Sequence, residues 1–183
     1  MRERRRQRDN VNATNQNETG AIGTVGTRES LFSIRRLERA DRAQWRALWQ
    51  QYLGPTAGAR LPGFYLQPPP DTVVDATFER LVDPAQQPHA LVAVNADRLV
   101  GFAHYVFHPS TWSLTQVCYL EDLYVEPAMR RAGAGRALIG ALYAAADQVK
   151  AGTVYWVTHK SNAAAQAFWE TLANSTAFIR YER

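Results

Sequence analysis

An α/β domain with a mixed sheet is predicted by three features of the sequence. Segments of strand and helix period follow one another in the order β-α-α-β-β-β-α-β-α-β. Two apolar runs meet around Asn95-Ala96-Asp97, which marks an antiparallel hairpin. Beyond that hairpin, strands alternate with helices, the arrangement of domains whose helices cover a sheet.

Order is expected to begin near Leu31. LFSIRRL reads as a short strand, and ADRAQWRALWQQYL as a helix. Asp41 can cap that helix with Gln44 three residues on, Gly54-Pro55 stops it, and Trp45, Leu48, Trp49 and Tyr52 share one face. Residues 54–70 hold five prolines and three glycines, so they form a loop. DTVVDATFERLV is a second helix, HALVAVNADRLVGFAHYVF the hairpin, and Gln116 to Val125 a further strand. AGRALIGALYAAADQVK repeats its apolar residues at helical spacing, with Gly152 just past its end. TVYWVTH is a strand, SNAAAQAFWETLANS a helix capped by Ser161 or Asn162, and AFIRYER a final strand.

The chain has 183 residues, 46% of them hydrophobic, enough for one domain with a substantial core over residues 31–183. Residues 1–30 are polar, without apolar period, and are expected to be a disordered tail. Five arginines fall within the first eight residues, but no apolar stretch follows them as in a secretory signal. No apolar run approaches the about 20 residues of a membrane span. The net charge of +4 is modest, so the arginine-rich tail reads as solvated rather than as a nucleic-acid site. Cys118 is the single cysteine, which excludes a disulfide within one chain and suits a buried strand position. A cytoplasmic location is expected. Four histidines, scattered along the chain, suggest no metal set.

The stretch YLEDLYVEPAMRRAGAGRALI, from Tyr119, carries the chemistry. Arg130-Arg131-Ala132-Gly133-Ala134-Gly135 lies between a strand and a helix. A helix start presents unpaired N–H groups and partial positive charge. Small residues let phosphate oxygens reach that backbone, and the arginines add charge at its rim. The loop therefore suits a diphosphate, although a purely structural turn would use the same glycines. A P-loop would need a Gly-Lys-Ser/Thr ending, which is absent. A dinucleotide fold would need a third small residue where Leu138 stands, and an acid ending the next strand, where TVYWVTHK ends in His-Lys.

On these residues the chain resembles the GNAT N-acetyltransferases. Arg130, Gly133 and Gly135 meet the acetyl-CoA signature [RQ]-x-x-G-x-[GA]. VGFAHYVF followed by CYLEDLYV, and Asn162 seven residues before Trp169, are similar to the diamine acetyltransferase branch. The resemblance runs from about Ser33 to the end. It implies a mostly antiparallel central sheet flanked by helices, with a strand that splays from its neighbour to admit pantetheine. It implies backbone contacts at Leu123, Tyr124 and Val125, and a pyrophosphate on Arg131, Ala132, Gly133, Ala134, Gly135 and Arg136, with Arg130 beside it. Asn162 would hold the pantetheine arm, Trp169 would lie at the cofactor, and homodimers are usual in this branch.

The resemblance also implies chemistry. An alkyl ammonium has a pKa of about 10 and must lose a proton before nitrogen can attack. Glu121 occupies the branch's acidic strand position and is the candidate base; as neighbours in a strand, Glu121 and Asp122 are expected on opposite faces. A backbone N–H near Leu123 could stabilise the oxyanion. Relatives protonate the leaving thiolate with a tyrosine where Trp169 stands here, and indole is no practical acid. Tyr124, Tyr155 and Tyr181 are candidate replacements, with Tyr181 carried forward alongside Glu121. Water could also serve, because a thiol of pKa about 8.5 leaves with modest help. The expected activity is acetyl transfer to a primary amine by direct attack in a ternary complex, the acceptor being a small amine, a polyamine or a lysine-like side chain. The alternative is a non-catalytic acyl-CoA-binding or regulatory module. His104 and His108 read as structural or surface residues, Trp45 and Trp49 chiefly as core. Phe64 and Tyr65, in the proline-rich loop, are acceptor-site candidates.

Overall fold

The computed structural model describes residues 31–54 and 68–181. The arginine-rich tail and the loop tip with Phe64 and Tyr65 lie outside the described residues. Strands β1 (Ser33–Arg36), β2 (His89–Asn95), β3 (Arg98–His108), β4 (Val117–Val125) and β5 (Val154–Trp156) form one sheet in sequence order. All neighbours are antiparallel except β4 and β5, which run parallel. Helices α1 (Arg42–Leu53) and α2 (Asp71–Leu81) precede the hairpin, α3 (Ala134–Gln148) links β4 to β5, and α4 (Ala163–Trp169) follows.

The β2 run HALVAVN is apolar on both faces because both are covered. Leu91 and Ala93 join one core with Leu138, Ile139, Leu142 and Ala146 of α3. Ala90 and Val92 join the other with Trp45 and Leu48 of α1 and Val74, Phe78 and Leu81 of α2. The period of two in the strand thus builds a three-layer sandwich. Ion pairs between Arg42 or Arg46 and Asp71, Asp75 or Glu79 stitch α1 to α2 along their solvent side.

Local expectations met different fates. The hairpin turns on two residues, Ala96 and Asp97, both left-handed (φ 44° and 63°), which leaves Asn95 opposite Arg98. The expected cap of α1 is replaced. Asp41 turns its carboxylate back to Arg35 and to the Glu38 N–H, and Gln44 accepts from the Leu99 N–H at 2.9 Å instead. α4 starts as expected, with Asn162 Oδ1 accepting from the Ala165 N–H. The final strand does not form. Residues 174–181 adopt no strand, and Phe178 and Tyr181 are 92% and 85% exposed. The physical reason lies in β5, which pairs over only three residues and offers too short an edge to hold another strand.

Candidate active site

Two irregularities in β4 create the site. The first is on the side of β5. Pairing runs from Cys118↔Val154 to Leu120↔Trp156 and stops, while β4 continues to Val125. From Glu121 onward, no strand among the described residues pairs with β4 on that side, which leaves a slot beside it. Leu123, Tyr124 and Val125 lie along it.

The second is a bulge facing β3. Tyr105 pairs with Leu120 and His104 with Asp122, so Glu121 is an extra residue. Leu120 and Leu123 consequently both pack into the α3-side core, although three apart. Glu121 and Asp122 therefore both face the α1 side. This corrects the expectation of opposite faces, which assumed an unbroken pleat. Burial first, and the Asp122 carboxylate second, push the Glu121 carboxyl above its ordinary range; His104, Arg80 and Arg180 pull it down. The Glu121 side chain still reaches solvent, so the Asp122 contribution, fixed by register, is the firmer of the two.

Asp122 is held from behind. Its Oδ2 lies 3.0 Å from His104 Nδ1, and His104 Nε2 lies 3.0 Å from Trp45 Nε1. His104 is 2% exposed and stacks on Phe102 at 4.5 Å. Sequence reasoning missed this chain, because its members lie far apart in sequence and a lone strand histidine carries no signal.

At the end of β4 the chain turns through Pro127–Met129 into the glycine loop. Arg130 donates from Nε to the Val125 carbonyl at 2.9 Å and lies over the Tyr124 ring. Arg131 and Gly133 are left-handed, at φ 62° and 102°. The first hydrogen bond of α3 runs from the Ala137 N–H to the Gly133 carbonyl, so the N–H groups before it have no partner within the helix. A Cβ built on Gly133 meets nothing within 4 Å, so the space before the helix end is open. Ala134 is buried, a Cβ on Gly135 would rest in ordinary contact with Phe168, and Arg136 donates to Thr171 Oγ1 at 2.9 Å. Backbone donors, open space and flanking guanidinium groups fit a diphosphate.

The remaining candidates lie on α4, on the strands and in the C-terminal stretch. Asn162 commits its Oδ1 to the α4 cap, which leaves its amide N–H groups to donate. Trp169 packs on Trp156 and Phe168, with ring centroids 4.8 and 4.9 Å away. Tyr124 donates from its hydroxyl to Gln51 Oε1, and the Tyr155 hydroxyl pairs with His108 Nε2 at 2.9 Å. Tyr181 lies in the strandless C-terminal stretch. Cys118 is buried, and that burial pushes its thiol up to about 11, which leaves it a poor nucleophile. Among the described residues, no group of three or more His, Cys, Asp or Glu side chains converges to hold a metal, and no helix is long and apolar enough to cross a membrane.

Comparisons with known proteins bear on this arrangement. The model of the Acetyltransferase (GNAT) family matches residues 42–173. The D-amino-acid N-acetyltransferase HPA3 of Saccharomyces cerevisiae is 33% identical over 152 residues, 82% of this chain and 89% of that protein. Among solved structures, a possible acetyltransferase of Clostridium difficile 630 superposes with a TM-score of 0.69 at 19% identity, covering 84% of this chain and 97% of that one. The aminoglycoside N-acetyltransferase AAC(6')-Iy in complex with CoA gives 0.66 at 22% identity, over 86% and 97%.

Proposed function

Since the chain belongs to the acetyltransferase (GNAT) family, and is an N-acetyltransferase with acetyl-CoA as its cosubstrate, we propose that it acetylates a primary amine by direct attack in a ternary complex. The observation that carries this reading is the slot beside β4, which leads from two carboxylates at one end to the bare start of α3 at the other.

In this reading the diphosphate takes the N–H groups of Arg131 through Arg136, whose partial positive charge is concentrated by the α3 dipole. The pantetheine arm lies along Leu123, Tyr124 and Val125, with the Asn162 amide donating to it from across the slot. Arg130, tied to the Val125 carbonyl, sets a positive charge at the phosphate end. Trp169 walls the slot near the thiol.

Glu121 takes a proton from the ammonium, directly or through a water molecule. One ammonium N–H bond breaks, a carboxylic O–H bond forms, and the nitrogen lone pair is freed. The Leu123 N–H stabilises the negative charge that grows on the thioester oxygen during attack. Direct attack suits the inert Cys118, which would be a poor acetyl carrier. For the departing thiolate, Tyr181 and water are the candidate proton donors, because Trp169 offers none and the Tyr124 and Tyr155 hydroxyls are already engaged.

The acceptor bears a primary amine. The diamine-like stretches favour a polyamine or small amine, whereas the similar yeast protein is named for D-amino acids. A lysine-like side chain is a third class. The homodimer and the cytoplasmic location complete the proposal. Thiol release from acetyl-CoA over a panel of polyamines, D- and L-amino acids and lysine peptides tests it. Release above the rate with no acceptor, with one class preferred, supports the reading; CoA binding without release for any class contradicts it.

A further inference from the structure

The chain Trp45–His104–Asp122 has a fixed direction. Indole N–H only donates, so His104 Nε2 must accept and keep its lone pair. The histidine proton then sits on Nδ1 and is donated to Asp122 Oδ2. A second proton on His104 would break the Trp45 bond inside a closed packet of Phe102, Trp45 and Trp49 rings. Asp122 is thereby bound as an acceptor-only carboxylate, with 15% of its side chain exposed. The bulge sets Glu121 on the same face as this anchored charge.

We propose that Trp45 and His104 are positioning residues that fix the Asp122 carboxylate as a hydrogen-bond acceptor beside Glu121, and that this second carboxylate lets Glu121 take the acceptor's proton. The inference rests on the reading of Glu121 as the base. It divides the work between adjacent carboxylates. Asp122, tied to His104, attracts the ammonium, while Glu121, on the extra residue of the bulge, moves the proton. A like charge close by raises a carboxylate's affinity for a proton, which makes Glu121 the stronger base. The other charged groups around Glu121 act against Asp122. They are Arg80 of α2 and Arg180 of the C-terminal stretch, with His104 of β3 pulling the same way only when it carries a second proton, and none replaces its effect.

The test is the pH dependence of kcat/KM in the intact enzyme with its preferred amine. Glu121→Gln should remove the acid limb and lower kcat by about 10²–10⁴-fold. Asp122→Asn should keep a limb but move it down by about one pH unit. His104→Leu should move it the same way. His104→Gln should restore the wild-type position, since a glutamine carbonyl can accept from Trp45 while its NH₂ donates to Asp122. Loss of the limb in Glu121→Gln with no shift in Asp122→Asn would overturn the relay alone. A limb retained in Glu121→Gln would overturn the base itself. Because His104→Leu can fail to fold, a second measurement uses wild-type protein. Long-range ¹H–¹⁵N spectra of the imidazole should show the His104 proton on Nδ1 and a bare Nε2. A proton on Nε2 overturns the proposal.

Discussion

Replacing Gly133 by alanine separates a glycine needed for a turn from one needed for a ligand. Gly133 sits at φ 102°, where a Cβ is strained, yet a Cβ built there meets no atom within 4 Å. The stability loss should therefore be conformational alone, about 1–2 kcal/mol. For a domain of this size that lowers Tm by roughly 2–8 °C. The same methyl group would stand where the diphosphate approaches. Losing one or two charge-assisted backbone bonds should weaken CoA binding by about 10- to 100-fold, beyond what the stability loss explains. Gly133→Asn supplies the control, because asparagine enters the left-handed region more readily but still carries a Cβ. Thermal melts and calorimetric titration with CoA report the two quantities. Asparagine should recover part of the melting temperature and none of the affinity. If it recovers both, Gly133 serves only the turn and the cradle reasoning fails.

Three further substitutions probe other parts of the site and its scaffold. Trp169→Tyr places a phenol where the family resemblance implies one. It should raise kcat if protonation of the thiolate limits turnover, and an unchanged burst and steady state would show that another step does. Gly101→Ala would set a Cβ 2.7 Å from the Tyr124 carbonyl, so β3 must move off β4 beside the slot; about 1–3 kcal/mol of stability should be lost, together with CoA affinity, and a neutral result by denaturant melts would show that the strands can relax freely. Asp41→Asn removes a buried carboxylate that accepts from Arg35 at 2.6 and 2.8 Å and from the Glu38 N–H, costing about 2 kcal/mol at neutral pH. The Arg35 bonds first, and the backbone bond, hold the Asp41 carboxyl below its usual range. Its contribution is thus present above the unfolded value of about 3.9 and fades as pH falls through the lower folded value, so the gap between wild type and variant should close on acidification; a gap independent of pH would refute the assignment.

What the sequence disclosed followed the range over which each signal acts. The hairpin, the α3 repeat and the Asn162 cap depend on residues within a few positions, and all appear as expected. The glycine loop was legible for the same reason, since a helix start advertises its donors locally. The cap of α1 was misplaced because Asp41 prefers Arg35, a contact made only once β1 and the first helix meet. The facing of Glu121 and Asp122 depends on the register between β3 and β4, and an alternating pattern contains no trace of the extra residue. The link from His104 to Trp45 spans 59 positions and to Asp122 18, so only the folded sheet unites them. The final strand had the right composition but lacked a neighbour long enough to pair with.

A structure of the protein with acetyl-CoA tests the central claim most directly. The diphosphate should lie on the N–H groups ahead of Ala137, the thioester should enter the slot beside Leu123, and its carbonyl carbon should stop within reach of an amine held at Glu121 and Asp122. Acetyl-CoA bound elsewhere, with the start of α3 closed by a side chain of the protein itself, would contradict the account.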